Sequence, residues 1–182
     1  MDLTNDQKYN RKGEKQHMAD NGSDKAQKLG TACGDAYAQY PHSCSHAVWH
    51  VVKQYVPAQP YMTANNLVQS LRTSSRWQEV RLFELSKLAS DGVLVVGGAT
   101  DSPNGHVIVV YPGKEKFSGG YFFKDKVTGK DVKAPPNGIH ALAMSTSMGN
   151  WPGAKSQGDK TVLDPWGSVK FKNVKFWKYV GD

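Results

Sequence analysis

The hydrophobic period of this chain changes once, at the Asp91-Gly92 pair, and that change limits the folds open to it. Before the pair, apolar residues recur at helical spacing. After it, they form short runs separated by turn residues, which is a strand signature. Helices first and antiparallel strands after predict an α+β architecture, with N-terminal helices packed on an antiparallel sheet. The boundaries predicted are 1–30 for a polar arm of mixed charge and 31–182 for a single domain.

The strongest helical segment is 44–56, CSHAVWHVVKQYV, in which Ala47, Val48, Val51, Val52 and Tyr55 share a face. Pro41 precedes it, Ser43 can cap it and Pro57 closes it. A helix from Thr63 carries Leu67, Val68 and Leu71 on one side, and a short one is predicted over 82–90. A further short helix is predicted near 24–29. Strands are predicted over 93–96, ended by Gly97-Gly98, and over 106–111, ended by Pro112-Gly113. Others are 120–126 with 130–133 as a hairpin around Thr128-Gly129, then 139–145. The stretch 149–158 reads as a loop. Residues 168–180 read as one or two strands, with Val169, Phe171, Val174 and Phe176 alternating.

Composition narrows the function classes. Lys+Arg total 23 against 16 Asp+Glu, a net charge of +7, which favours anionic partners. Lys170, Lys172, Lys175 and Lys178 alternate with apolar residues, as on any one-sided strand. No nucleic-acid motif accompanies them, so no nucleic-acid partner is predicted. No run reaches the roughly 18 apolar residues that suggest a membrane span. The first twenty residues hold no apolar stretch of signal-peptide type, so the expectation is synthesis in the cytoplasm without such a signal. Two cysteines, Cys33 and Cys44, are too few for a disulfide framework or a four-thiolate zinc site. A Cys33–Cys44 disulfide stays open, though it would cap Cys44. His42, His46 and His50 have i, i+4 spacing, but His46 and His50 lie off the apolar stripe and no carboxylate joins them on that helix. They read as solvent-facing or groove-lining, and no metal is predicted.

Cys44 falls in the first turn of its helix, where unpaired N–H groups and the helix dipole favour thiolate and a developing oxyanion. A thiol nucleophile needs a base. His106 opens an apolar strand directly after Asn104-Gly105, so its ring lies at a strand mouth. The same two residues also fit a buried structural thiol and an edge imidazole, and spacing alone leaves both open.

A Cys-Ser at the start of a buried helix, then Thr63-Ala64-Asn65-Asn66, then DGVLVV, then GHVIVVYPG resembles the papain-like NlpC/P60 superfamily. The sequence is most similar to peptidoglycan amidase effectors of type VI secretion systems. The resemblance runs from Tyr37 to Tyr111, and more weakly from Ser156-Gln157-Gly158 to the C-terminus. One departure stands out. Many members carry Asp-Cys-Ser-Gly at the nucleophile, whereas this chain has Ser43-Cys44-Ser45-His46.

The resemblance implies a papain-like NlpC/P60 fold and a Cys44–His106 amidase cutting peptidoglycan stem peptides, with no cofactor. The bond implied is that between D-glutamate and meso-diaminopimelate. The diaminopimelate–D-alanine cross-link is the alternative. It also implies delivery into a rival's periplasm, a cognate immunity protein as partner, and a monomer without membrane insertion. The third residue implied is His140 on the strand after the His106 strand, with Ser145 and Asp164 as alternatives. Ser43, Ser45, Tyr40 (or Tyr37) and Trp151 are assigned to the substrate side. Two other classes remain: a cysteine protease or acyltransferase on proteins or lipids, and a non-catalytic binding module.

Overall fold

The computed structural model describes residues 24–181. The arm predicted over 1–30 therefore lies largely outside the described residues, and its last part is not an arm. Residues 24–39 form one helix, α1. Leu29, Ala32, Cys33 and Ala36 form its buried stripe. The boundary at residue 30 thus falls inside a packed helix, longer than the short one predicted over 24–29. Its stripe is built mainly of small residues, with Gly30 and Gly34 between them, which mutes the periodic signal.

The next helices follow the sequence closely. Helix α2 spans Cys44–Val52 and buries Ala47, Val48, Val51 and Val52. Turns carry the chain on to Val56, so the regular helix is shorter than the predicted 44–56. Helix α3 spans Ala64–Thr73 and buries Leu67, Val68 and Leu71. A 3-10 turn over Leu82–Glu84 leads into α4, Leu85–Ser90. The Asp91-Gly92 turn closes it with Gly92 at φ +74°, where an added Cβ would overlap Lys25 of α1.

Eight strands make two sheets among the described residues. The strands are β1 Trp77–Val80, β2 Val95–Ala99, β3 His106–Phe117, β4 Phe122–Lys124, β5 Asp131–Lys133, β6 Ile139–Ser145, β7 Ser156–Thr161 and β8 Lys175–Tyr179. The larger sheet has the order β1-β8-β2-β3-β6-β7 and is antiparallel throughout. The α+β class is as predicted. Strands β4 and β5 form the predicted hairpin, whose turn is held by Asp125 Oδ1 accepting from Thr128 N–H and Thr128 Oγ–H.

Several boundaries differ from the sequence reading. Gly97-Gly98 does not end β2; both glycines sit in the middle of the sheet. A Cβ on Gly97 would meet the Phe176 ring at 2.5 Å, and one on Gly98 would meet Val68 at 2.8 Å. These glycines therefore serve close approach on opposite faces of the strand. Pro112-Gly113 does not end β3 either. The strand continues to Phe117, and its register with β6 shifts between Tyr111 and Lys116. Strand β7 begins within the stretch 149–158 read as a loop and runs three residues past it. Only Ser156 and Thr161 of its six residues are buried, so its sequence carries no apolar alternation. Strand β1, WQEV, has only Trp77 and Val80 inward. Residues Gly167–Phe171 form a short helix, α5, rather than a strand, and leave Val169 exposed. No helix among the described residues is long and apolar enough to cross a membrane.

Candidate active site

The start of α2 and the start of β3 meet at one cleft of about 820 Å³, lined by Cys44, His106, Tyr61, Trp151, Trp166 and Lys170 among others. Ser43 is the N-cap of α2, its Oγ accepting from the His46 amide at 3.5 Å, so Cys44 is the first helical residue. Backbone N–H groups of Val107, Ser45 and Cys44 itself near the Cys44 thiol favour thiolate. Burial outweighs them and holds the thiol above its ordinary value.

Three residues deliver His106 to the cleft. Asn65, in the first turn of α3, donates to Asp101 C=O at 3.0 Å and accepts from Asp101 N–H at 3.2 Å. This double contact pins the loop between β2 and β3. Gly105 then passes so close to Asn65 and Ala99 that a Cβ would overlap both. The sequence reading used Asn65 only as part of a motif; its structural task depends on a contact 36 residues away.

On β6, Ser145 supplies the partner for the imidazole. Extending the Val109↔Met144 pairing by one residue puts Ser145 opposite Ile108. His106 is then its diagonal neighbour on the same face. Ser145 Oγ lies 2.9 Å from His106 Nε2. The single Ser145 hydroxyl hydrogen is already committed to Ala154 C=O, at 2.7 Å. Ser145 must therefore accept from His106, so Nε2 carries the proton and Nδ1 keeps the lone pair a general base needs. Trp166 stands edge-on to the ring, with centroids 5.1 Å apart. Burial lowers the His106 pKa from 6.5 to about 4. The resting pair is thus neutral thiol and neutral imidazole.

The lowered value has a consequence for stability. A histidine with a folded-state pKa below its unfolded value stabilises fully above about 6.5 and loses that contribution as pH falls towards 4. Denaturant melts should therefore show His106 contributing on the order of 2 kcal/mol more at pH 7 than at pH 4. The check is the slope difference between wild type and His106→Gln; parallel pH curves contradict it.

The other candidate residues separate. His140 does not orient His106. Its Nε2 lies 2.9 Å from Asn137 C=O, its ring stands edge-on to Phe171, and its strand position pairs with Lys116 beyond the register shift. Asp164 is also elsewhere engaged: Oδ1 accepts from Gly119 N–H, and Oδ2 accepts from Thr161 N–H and Oγ–H. Of the three residues weighed for the orienting role, Ser145 alone touches His106. Ser43, Ser45 and Trp151 line the cleft and Tyr40 does not. Trp151 is partly exposed, packs on Tyr121 and Phe123, and donates to Asp164 C=O at 3.0 Å. Cys33 and Cys44 are both free thiols, and Cys33 is fully buried.

The three histidines do not converge on one point. His46 stacks between Tyr40 and Tyr61, His50 tilts against Tyr40, and His42 Nδ1 lies 3.4 Å from Lys155 Nζ. Cys44, His106 and Ser145 thus present a helix-start thiol, an imidazole with a defined tautomer and a hydroxyl that accepts from it, groups of the kind acyl transfer uses. No protein-family model matches the chain, and no curated protein matches it.

Proposed function

We propose that this chain is a cysteine amidase of papain-like NlpC/P60 type that hydrolyses amide bonds in peptidoglycan stem peptides. The observation that carries the chemistry is the Ser145 contact, which leaves His106 Nδ1 unprotonated in the cleft that a helix-start thiol also lines. The substrate class rests on the resemblance of the Cys-Ser helix and the GHVIVV strand.

In the proposed cycle His106 Nδ1 takes the Cys44 proton as sulfur attacks the carbonyl carbon. N–H groups in the first turn of α2 face the oxyanion that develops. The tetrahedral intermediate collapses as His106 gives its proton to the leaving amine, forming a thioester and freeing the amine. Water then loses a proton to His106 and attacks the thioester. A carboxylic acid leaves and the thiol is restored. No cofactor enters any step. The bond between D-glutamate and meso-diaminopimelate is the proposed target. Delivery by a type VI system into a target periplasm, and a cognate immunity protein in the producer, belong to the same proposal.

Purified protein incubated with muropeptides, with products read by mass spectrometry, tests this reading. New products at the D-glutamyl bond are expected, and unchanged muropeptides overturn it. Ser145→Ala is expected to lower kcat by roughly 10- to 100-fold, because the imidazole loses the acceptor that fixes its tautomer. A Ser145→Ala enzyme with unaltered kcat would remove Ser145 from the mechanism.

A further inference from the structure

Ser43 and Ser45 flank the nucleophile, and each is held by a different aromatic ring. Ser43 Oγ lies 2.8 Å from His46 Nδ1. Ser45 Oγ lies 3.0 Å from Tyr61 OH. The two rings that hold them are stacked on each other, with centroids 4.1 Å apart and planes 22° apart. Tyr40 stacks on the other side of His46 at 5.6 Å. Trp49 stands edge-on to both His46 and Tyr61. Its indole N–H donates to Gln59 C=O at 2.9 Å, which fixes the connection from α2 to α3 on which Tyr61 sits.

This connectivity has a mechanical meaning. The first turn of a helix is its loosest part, because its N–H groups have no intrahelical partners. The Ser43 cap alone is weak, since its amide contact is 3.5 Å long. A long cap would let the Cys44 Sγ position drift relative to His106. Here the residues before and after Cys44 are tied to a ring stack in which His46, itself on α2, is held between Tyr40 and Tyr61 from outside the helix. We propose that His46 and Tyr61 form a clamp that positions Cys44 Sγ for proton transfer to His106. They are positioning residues, since neither ring is placed on the reacting atoms. Tyr61 also lines the cleft, so a bound ligand would touch one jaw of the clamp directly. The inference rests on Cys44 being the nucleophile.

Alkylation of Cys44 by iodoacetamide, followed by mass spectrometry of the Cys44 peptide across pH, tests the clamp without a substrate. Tyr61→Phe keeps the stacked ring and loses the Ser45 hydrogen bond. His46→Phe keeps the stack and loses the Ser43 hydrogen bond. Each is expected to slow alkylation at pH 7.5 by about tenfold, as for loss of one positioning hydrogen bond. Each should also shift the pH midpoint upward. The double variant is expected to cost little more than the worse single variant, because the two rings act as one unit. His46→Gln, which restores a polar atom to Ser43, should recover part of the rate.

A role in stability alone would lower Tm and leave the pH midpoint in place. Unchanged rates and midpoints in both single variants overturn the clamp, whatever His106→Ala does. If His106→Ala leaves alkylation unchanged while Tyr61→Phe slows it, the Cys44–His106 reading fails and the clamp's role in proton transfer falls with it, leaving only the hold of the rings on Sγ.

Discussion

Cys44→Ala is expected to abolish stem-peptide cleavage, by about 10⁴-fold or more in kcat, while leaving the melting curve nearly unchanged. The sulfur is the atom that forms the thioester, and no neighbouring side chain can replace it. Ser43 and Ser45, the nearest hydroxyls, are engaged with His46 and Tyr61. His106→Ala should fall to a similar level, and the double variant should be no worse than either, because the pair acts as a unit. Muropeptide turnover followed by mass spectrometry measures all three. Cleavage that survives Cys44→Ala would refute the thioester mechanism outright. Expression of the same variants in the periplasm gives a cellular readout, with growth arrest expected for wild type and none for Cys44→Ala.

Asp164→Ala is expected to produce the largest loss of stability of any polar substitution considered, about 3–5 kcal/mol. Asp164 is 2% exposed, and its carboxylate accepts three hydrogen bonds, from Gly119 N–H, Thr161 N–H and Thr161 Oγ–H. Removing it leaves those donors in a dry site. Its backbone carbonyl meanwhile accepts from Trp151, so the same residue steadies the cleft wall. Guanidinium melts at pH 7 give the number, and Asp164→Asn separates charge from shape. A loss below about 1 kcal/mol for Asp164→Ala would mean that water reaches these donors easily.

The contrast between Asp164 and Ser145 explains what a sequence can and cannot disclose about such a site. Cys44 and His106 are legible because each sits at the boundary of a strongly apolar element, α2 or β3, whose period is plain. The orienting residue is not legible in that way. It depends on which side chain of β6 falls diagonal to His106, and His140, five residues before Ser145, pairs with Lys116 far along β3 from His106. The stretch between Tyr111 and Lys116, where the register shifts, contains Pro112-Gly113, which reads locally as a terminator although the strand runs through it. The missed elements share another cause. Strand β7 is an edge strand with a polar sequence, and α1 buries alanine, cysteine and one leucine. Neither offers the contrast between apolar and polar positions that periodicity requires. The clamp on Cys44 is illegible for a third reason, because Tyr61 and His46 meet only after the α2–α3 connection folds back.

Gly97 and Gly98 have a consequence for how this chain can diverge. A single base change in a glycine codon that alters the residue adds at least a Cβ. At these positions that atom would fall 2.5 Å from Phe176 or 2.8 Å from Val68. Point mutation therefore has almost no neutral path through the centre of β2. A descendant that lost Cys44 and all activity would still be held to the same pair. In any set of diverging copies, the Gly-Gly doublet would trace inheritance of the fold, and the residue at position 44 would trace inheritance of the chemistry.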